Sequence, residues 1–229
     1  MSHPPIDLFV MAAMGDELST LKSRSSLVAT IPSPKGSLQI RRMKNGKHIC
    51  SAICGILAPK AEDMLATMVK RAKMKELLIV GCCGGVASDM RFNQAVISQK
   101  LINMQNGMSY NTDDEMNDKI TSILPEAISG NIACSDVVLE NVDQKADCFS
   151  KTSALAVEME GSAIAEEALK LEVKISSVRW VLDGEDENVS GSALDRALKN
   201  RLSNMELMAR MRKISDNIDA FVEKLTEMM

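Results

Sequence analysis

The chain has 229 residues, 45% of them hydrophobic and 25% charged, which is a globular composition with enough length for one sizeable core. A net charge of −4 excludes the basic surplus of a nucleic-acid binder. No run of about 18 apolar residues is present to span a membrane. Residues 1–7 lack a basic segment followed by an apolar one, so no signal peptide is expected and the expected location is the cytoplasm. The six cysteines, at 50, 54, 82, 83, 134 and 148, contain no C-x-x-C pair, and only His3 and His48 could join them. No metal site is therefore expected, and the cysteines read as small buried hydrophobes in a reducing compartment. With 17 methionines and 3% aromatics, methionine is expected to fill much of the core.

In chain order, residues 6–13 form a continuous apolar run of strand length. Residues 38–43 and 48–54 read as two strands joined by Lys44-Asn45-Gly46-Lys47, a hairpin turn signal. Pro59 suits the first turn of a helix whose apolar face is Ala61, Met64, Leu65, Met68 and Ala72. Residues 77–80 are a buried strand that runs into a glycine-rich turn, Gly81-Cys82-Cys83-Gly84-Gly85. Residues 95–101, 131–134, 155–159 and 175–182 read as further strands, and 113–123 and 161–171 as short helices. Leu207, Met211, Ile214, Ile218, Phe221, Leu225 and Met228 step by three and four along a C-terminal helix. That stripe is expected on the chain's own sheet, with a partner subunit or a membrane surface as the alternatives. The strand–helix alternation predicts an α/β fold: a three-layer αβα arrangement around a central mixed β-sheet. Without a repeat, linker or low-complexity segment, residues 1–229 are expected to form a single domain.

Ligands in open α/β sheets bind outside the carboxyl ends of strands. Here those ends carry Glu17, Gly81 to Gly85, Glu158 with Glu160, and Asp183, while Arg179 interrupts an apolar strand. Each residue has a plainer reading. Glu17 would suit a helix start. Glu158 and Glu160 would both fit one solvated strand face. Asp183 would cap a helix or make a turn, and the glycines would turn the chain. Arg179 would pair with any of the acids.

Taken together, four segments resemble the purine nucleoside phosphorylase and nucleosidase superfamily. They are Met11-Ala12-Ala13-Met14-Gly15-Asp16-Glu17-Leu18, Gly81-Cys82-Cys83-Gly84-Gly85-Val86, Ala156-Val157-Glu158-Met159-Glu160-Gly161-Ser162-Ala163 and Val178-Arg179-Trp180-Val181-Leu182-Asp183. They occur in the family's order between residues 6 and about 187. Two branches fit. One contains methylthioadenosine/S-adenosylhomocysteine nucleosidase. The other is the nucleoside phosphorylase associated with hopanoid biosynthesis, which Pro59 and the stretches 135–145 and 152–157 also resemble.

The resemblance implies an enzyme of purine metabolism that releases adenine from a 5′-modified adenosine, either as a hydrolase or as a pentosyl-transferring phosphorylase. Asp183 is then the acid that protonates the base, with Glu185 and Asp186 as neighbours able to raise its pKa. Glu160 anchors the ribose hydroxyls, with Met159 packed on the sugar and Glu158 beside it. Glu17 activates a water that Arg179 positions. In a phosphorylase, Arg179 and the Gly81 to Gly85 amides would hold inorganic phosphate as co-substrate. No other cofactor is implied. The partners implied are a nucleoside and a second copy of the chain as a homodimer, with a membrane surface left open by the terminal helix.

Three positions depart from the nucleosidase pattern: Leu182 and Cys82 stand where hydroxyl residues are usual, and Val138 where a base-stacking ring is. Leu182 removes a hydrogen-bond partner of Asp183, and Val138 weakens stacking on the base. These changes favour a bulky or lipid-linked nucleoside over methylthioadenosine, and they leave open a relative that binds nucleosides without turnover. Gly84 and Cys82, on the glycine-rich segment, complete the expected substrate contacts.

Overall fold

The computed structural model describes residues 3–88, 90–187 and 205–229. Its first strand, β1 (Leu8–Ala12), is buried throughout, which explains an unbroken apolar run in place of an alternating one. Phe9 and Met11 enter one core, and Leu8, Val10 and Ala12 the other. Helix α1 (Ser19–Arg24) and edge strand β2 (Ser26–Ser33) follow; neither is foreseen from the sequence. β2 is mostly exposed and carries Pro32, whose missing N–H is tolerated at a sheet edge, so no hydrophobic period marks it. β3 (Gly36–Arg42) and β4 (His48–Ile53) form the expected hairpin, with Gly46 at φ 87° in the turn. Helix α2 (Ala61–Ala72) buries all five residues expected on its apolar face.

β5 (Glu76–Gly85) runs through the glycine-rich segment, which is therefore strand and not turn. The reason is pairing on both sides. Gly81, Cys82, Cys83 and Gly84 lie opposite Arg179, Trp180, Val181 and Asp183 of β10 (Lys174–Asp183). Gly84 and Gly85 also lie opposite Val157 and Ala156 of β9 (Ala156–Glu158). Between them come β6 (Ala95–Asn103), β7 (Ser109–Asn111), α3 (Asp114–Ile123), β8 (Ile128–Cys134) and α4 (Val142–Thr152). Helix α5 (Gly161–Lys170) and the C-terminal α6 (Met205–Met228) complete the described elements. β7 and α4 are also unforeseen.

Among the described residues, ten strands make one mixed sheet. β1 lies between β4 and β5, parallel to both. Beyond β5 the sheet closes on itself: β5 pairs with β10, β10 with β6, β6 with β8, β8 with β9, and β9 with β5 again. One face packs on α2 and α5 through Met64, Leu65, Met68, Ile164 and Ala168. The opposite face packs on α1, α3 and α6 through Leu21, Ile120, Ile214, Ile218 and Phe221. This is the expected three-layer arrangement. The terminal stripe lies on the chain's own sheet, with Phe221 tilted against Trp180 at 5.8 Å between ring centres. Met228, at the end of the stripe, is half exposed. None of the described helices is long and apolar enough to cross a membrane.

Phe221 is buried on α6, so Phe221→Ala should cost ~3–5 kcal/mol of folding stability. Met228→Ala should stay within about 0.5 kcal/mol of the parent. Urea titrations of the two variants check this; equal losses would place the anchor of α6 elsewhere.

Candidate active site

The carboxyl ends of β1, β5, β9 and β10 meet at one cavity of about 740 Å³ including its mouth. Ala13, Met14 and Glu17 follow β1, and Cys82, Cys83 and Gly84 belong to β5. Val157, Glu158, Met159 and Glu160 come from the β9 end, and Leu182 and Asp183 from the β10 end. Ile56, Val137 to Leu139 and Lys145 of α4 close the remaining wall. Glu17, Cys82, Gly84, Val138, Glu158, Met159, Glu160 and Asp183, all expected at the site, line this cavity; Arg179 lies behind the carboxylates, and Gly81 and Gly85 do not reach the wall. Among the described residues that line it there is no aromatic ring, and Val138 is one of them.

Glu17 is not a surface helix-start residue. It is 1% exposed, and its two oxygens accept hydrogen bonds from the backbone N–H groups of Met14 and Cys82, each at 2.9 Å. Burial pushes its carboxyl above the usual range, against the pull of Arg179 and these two N–H donors. Glu158 and Glu160 do not share a solvated face either. β9 ends at Glu158, and Glu160 precedes the first turn of α5. Glu158 accepts from the backbone N–H groups of Glu160 at 3.1 Å and Gly161 at 2.8 Å. Glu160 accepts from Leu57 N–H at 3.2 Å. A Cβ at Gly161 would sit 2.8 Å from Glu158 Oε1, so the glycine after the motif lets the chain wrap around that carboxylate.

Arg179 joins these acids. One terminal nitrogen donates to Glu158 Oε2, and the other lies 3.8 Å from Glu160 Oε2. Its guanidinium is buried, and its Nε and Nη1 have no hydrogen-bond partner among the described residues. Burial opposes the charge, but Glu158, Glu160 and Glu17 outweigh it and hold the guanidinium above its ordinary pKa. Gly81 makes the approach possible: a Cβ there would sit 2.4 Å from Glu17 Oε1 and 2.5 Å from Arg179 Nη1.

Asp183 sits at the end of β10, where the register against β5 slips opposite Gly84. Its Oδ2 accepts from Lys145 Nζ at 2.6 Å. Burial raises its pKa and Lys145 opposes the rise. Among the leading causes, the acid that adds to the rise is Glu187, whose carboxylate accepts the Gly184 N–H at 2.8 Å. The hydrogen-bond partner lost at Leu182 is thus replaced by a charged one. Sequence reasoning missed Lys145. The signal was there in Asn141 and Gln144, three apart, which form a capping box at the start of α4. That box puts Lys145 and Cys148 on the buried face of the helix.

A family model described as Phosphorylase superfamily matches residues 7–225. A search of curated proteins by sequence finds no significant match. Among solved structures, the chain is similar to a 5′-methylthioadenosine/S-adenosylhomocysteine nucleosidase from Helicobacter pylori, at 18% identity and TM-score 0.80, covering 99% of this chain and 100% of that one. It is equally similar to futalosine hydrolase from the same organism, at 18% identity and TM-score 0.80 with 100% of both chains covered. A third is the nucleosidase from Colwellia psychrerythraea in complex with adenine, at 16% identity and TM-score 0.80, covering 99% of this chain and 97% of that one. These likenesses show a shared fold.

Glu160 yields a pH prediction. Burial first, and Glu158 next, push its carboxyl from 4.5 up to about 8. Across that window the folded protein holds a proton that the unfolded chain has released. The stability this group contributes is therefore fully present below pH 4.5 and lost as pH rises towards about 8. Melting temperature should decline over that window in the parent, and the decline should flatten in Glu160→Gln. Thermal melts at stepped pH check this, and parallel curves would assign the slope to other groups.

Proposed function

The chain belongs to the phosphorylase superfamily, and on that premise we propose that it cleaves the N-glycosidic bond of an adenine nucleoside bearing an apolar 5′ substituent, with water as the nucleophile. One observation carries the reading: a single cavity has a part-buried acid on one wall, Asp183, and a buried cluster of three carboxyl groups on another, Glu17, Glu158 and Glu160. Glycosidic cleavage needs such a division, an acid at the leaving group and anionic groups at the cationic sugar.

In this mechanism Asp183 gives its proton to N7 of the purine, and the C1′–N9 electron pair leaves with the base. Glu160 accepts hydrogen bonds from the ribose hydroxyls, with Glu158 and Arg179 fixing its position and Met159 covering the sugar. Positive charge developing on the ribose is stabilised by the carboxylates. Glu17 takes a proton from the water that adds to C1′, and the Arg179 Nη1 without a partner supports a water held between them. No cofactor enters these steps.

The electrostatics favour water over phosphate. A phosphate dianion at the sugar would meet Glu158 and, as they ionise, Glu17 and Glu160, against one guanidinium already donating to Glu158. The glycine-rich amides that would cradle it lie in a strand paired with β10 and, at Gly84 and Gly85, with β9, and the Cys82 N–H donates to Glu17. The walls formed by Met14, Ile56, Val137, Val138, Leu139 and Val157 support an apolar 5′ group, up to a lipid-linked one. Exposed Leu57, Val137 and Phe149 support a second copy of the chain as partner. Six free cysteines support a reducing, cytoplasmic setting.

The test is a panel of 5′-substituted adenosines, with inosine analogues alongside, assayed for free base with and without phosphate. Apolar 5′ groups should raise kcat/KM, phosphate should leave the rate unchanged, and Asp183→Asn should reduce it by ~100-fold or more. Turnover that requires phosphate would replace the hydrolase with an adenosylhopane-type phosphorylase. Nucleoside binding without base release over hours would leave a non-catalytic relative.

A further inference from the structure

Lys145 is buried on α4, a helix not foreseen from the sequence, yet its ammonium ends against the acid of the proposed site. Its three N–H donors meet three acceptors: Asp183 Oδ2 at 2.6 Å, the Gly184 carbonyl at 2.5 Å and the Glu187 carbonyl at 2.7 Å. An ammonium has three donors and no more, so none remains for a substrate. Among the described residues, Asp183 Oδ1 accepts no hydrogen bond. The segment that Lys145 grips is held from the other side by α6. Arg210 donates to both Glu187 carboxylate oxygens, each at 2.9 Å, and to the Leu182 carbonyl at 2.9 Å.

From this geometry, and resting on the cleavage reading above, we infer that Lys145 is the positioning residue of the acid: it pins Oδ2 of Asp183, leaves Oδ1 to face the base, and supplies the counter-charge for the carboxylate that remains once the proton has gone to the purine. The step balances simply. The proton leaves Asp183 for base N7, the glycosidic electron pair goes to N9, and Asp183 is left as an anion already paired with an ammonium. An acid works by being able to lose its proton in the transition state, and a buried carboxyl without a partner resists that loss. Lys145 offsets the resistance without touching the substrate.

The charged and titratable groups around Asp183 are Lys145 from α4, Glu187 from the segment after β10, Arg210 from α6 and Cys83 from β5. Burial holds the Cys83 thiol far above its usual range, so it stays neutral. Glu187 is held down to about 2 by Arg210, so its charge is constant across the working range. Lys145 is therefore the group whose removal alters the acid most directly.

The sign is fixed. Lys145 favours the ionised form of Asp183, so its loss moves the titration of Asp183 to higher pH. Catalysis needs Asp183 protonated, so the alkaline limb of the pH–rate profile should move up by about one pH unit or more. The low-pH plateau of kcat should fall by ~10-fold or more, because the acid has become weaker. A merely structural lysine would lower activity and leave the limb where it was.

The experiment compares the full-length parent with Lys145→Met, Lys145→Gln and Lys145→Arg, reading base release against pH and, without substrate, the 13C carboxyl titration of Asp183. Met and Gln should lower the plateau and raise both midpoints, while Arg, which keeps the charge, should keep the limb near that of the parent. Lower activity with both midpoints unmoved would overturn the inference. If the neutral variants fail to fold, the parent decides: the Lys145 13Cε resonance should step at the Asp183 midpoint, and no step would overturn it. If no nucleoside is cleaved at all, the cleavage reading fails, while the substrate-free titration still judges the Lys145–Asp183 coupling.

Discussion

The buried guanidinium of Arg179, with Glu17, Glu158 and Glu160 gathered round it, is the constraint to which the rest of the site is fitted. Removing charged groups from water costs several kcal/mol each, and only close partners and hydrogen bonds recover it. The chain meets that demand with backbone. Met14, Cys82, Leu57, Glu160 and Gly161 each donate an N–H to a carboxylate. Gly81 and Gly161 leave out the Cβ atoms that would collide with the charged groups. These donors come from segments far apart in sequence. They meet because the sheet closes from β5 through β10, β6, β8 and β9 back to β5, which sets the β9 and β10 ends on either side of the glycine-rich strand.

Closure also separates two kinds of acid. Glu17 and Glu160 share one guanidinium with Glu158, and burial raises both pKa values against its pull. Asp183, across the cavity, has an ammonium partner of its own. Groups of the same chemical type thus titrate in different surroundings, the condition under which one carboxyl serves as acid while another serves as base. The terminal helix takes part through Arg210, which holds Glu187 and the Leu182 carbonyl on either side of Asp183. The C-terminal stripe therefore does more than cover the sheet; it fixes the back of the acid's pocket.

Much of this was legible in the sequence wherever one physical period dominates. β1, the β3–β4 hairpin, α2 and α6 are written in apolar runs, an Asn-Gly turn and a three–four stripe, and they stand as expected. β2 was hidden because an exposed edge strand needs no apolar face. The glycine-rich segment reads as a turn because sequence alone does not reveal that β10 and β9 pair with it. α4 was hidden because its buried face carries a lysine and a cysteine. Among the residues that line the cavity, motif order points to Glu17, Glu160 and Asp183. It does not point to Lys145, because the meaning of that residue depends on the end of β10, 38 residues away. The loss of a hydroxyl at 182 was visible, but its replacement by an ammonium was not.

A second departure, Val138 in place of a ring, changes how a purine would be recognised. A cavity without an aromatic ring gives up the ~0.5–1.5 kcal/mol that a stacked pair adds beyond simple burial. Val138, Val157, Met159 and Leu182 still remove the base from water at ~25 cal/mol per Å², but aliphatic contact has little preference for a flat ring over any other apolar group. Under the proposed reaction, discrimination then rests on directional groups, Asp183 at the base and Glu160 at the ribose. Both are held by neighbours that do not line the substrate's path or have no donor left for it, Arg179 behind one and Lys145 beside the other. Apolar walls broaden what may follow the 5′ carbon, while two anchored carboxyl groups narrow what may lie at either end of the glycosidic bond. Specificity in such a site is therefore electrostatic at the reacting atoms and permissive beyond them.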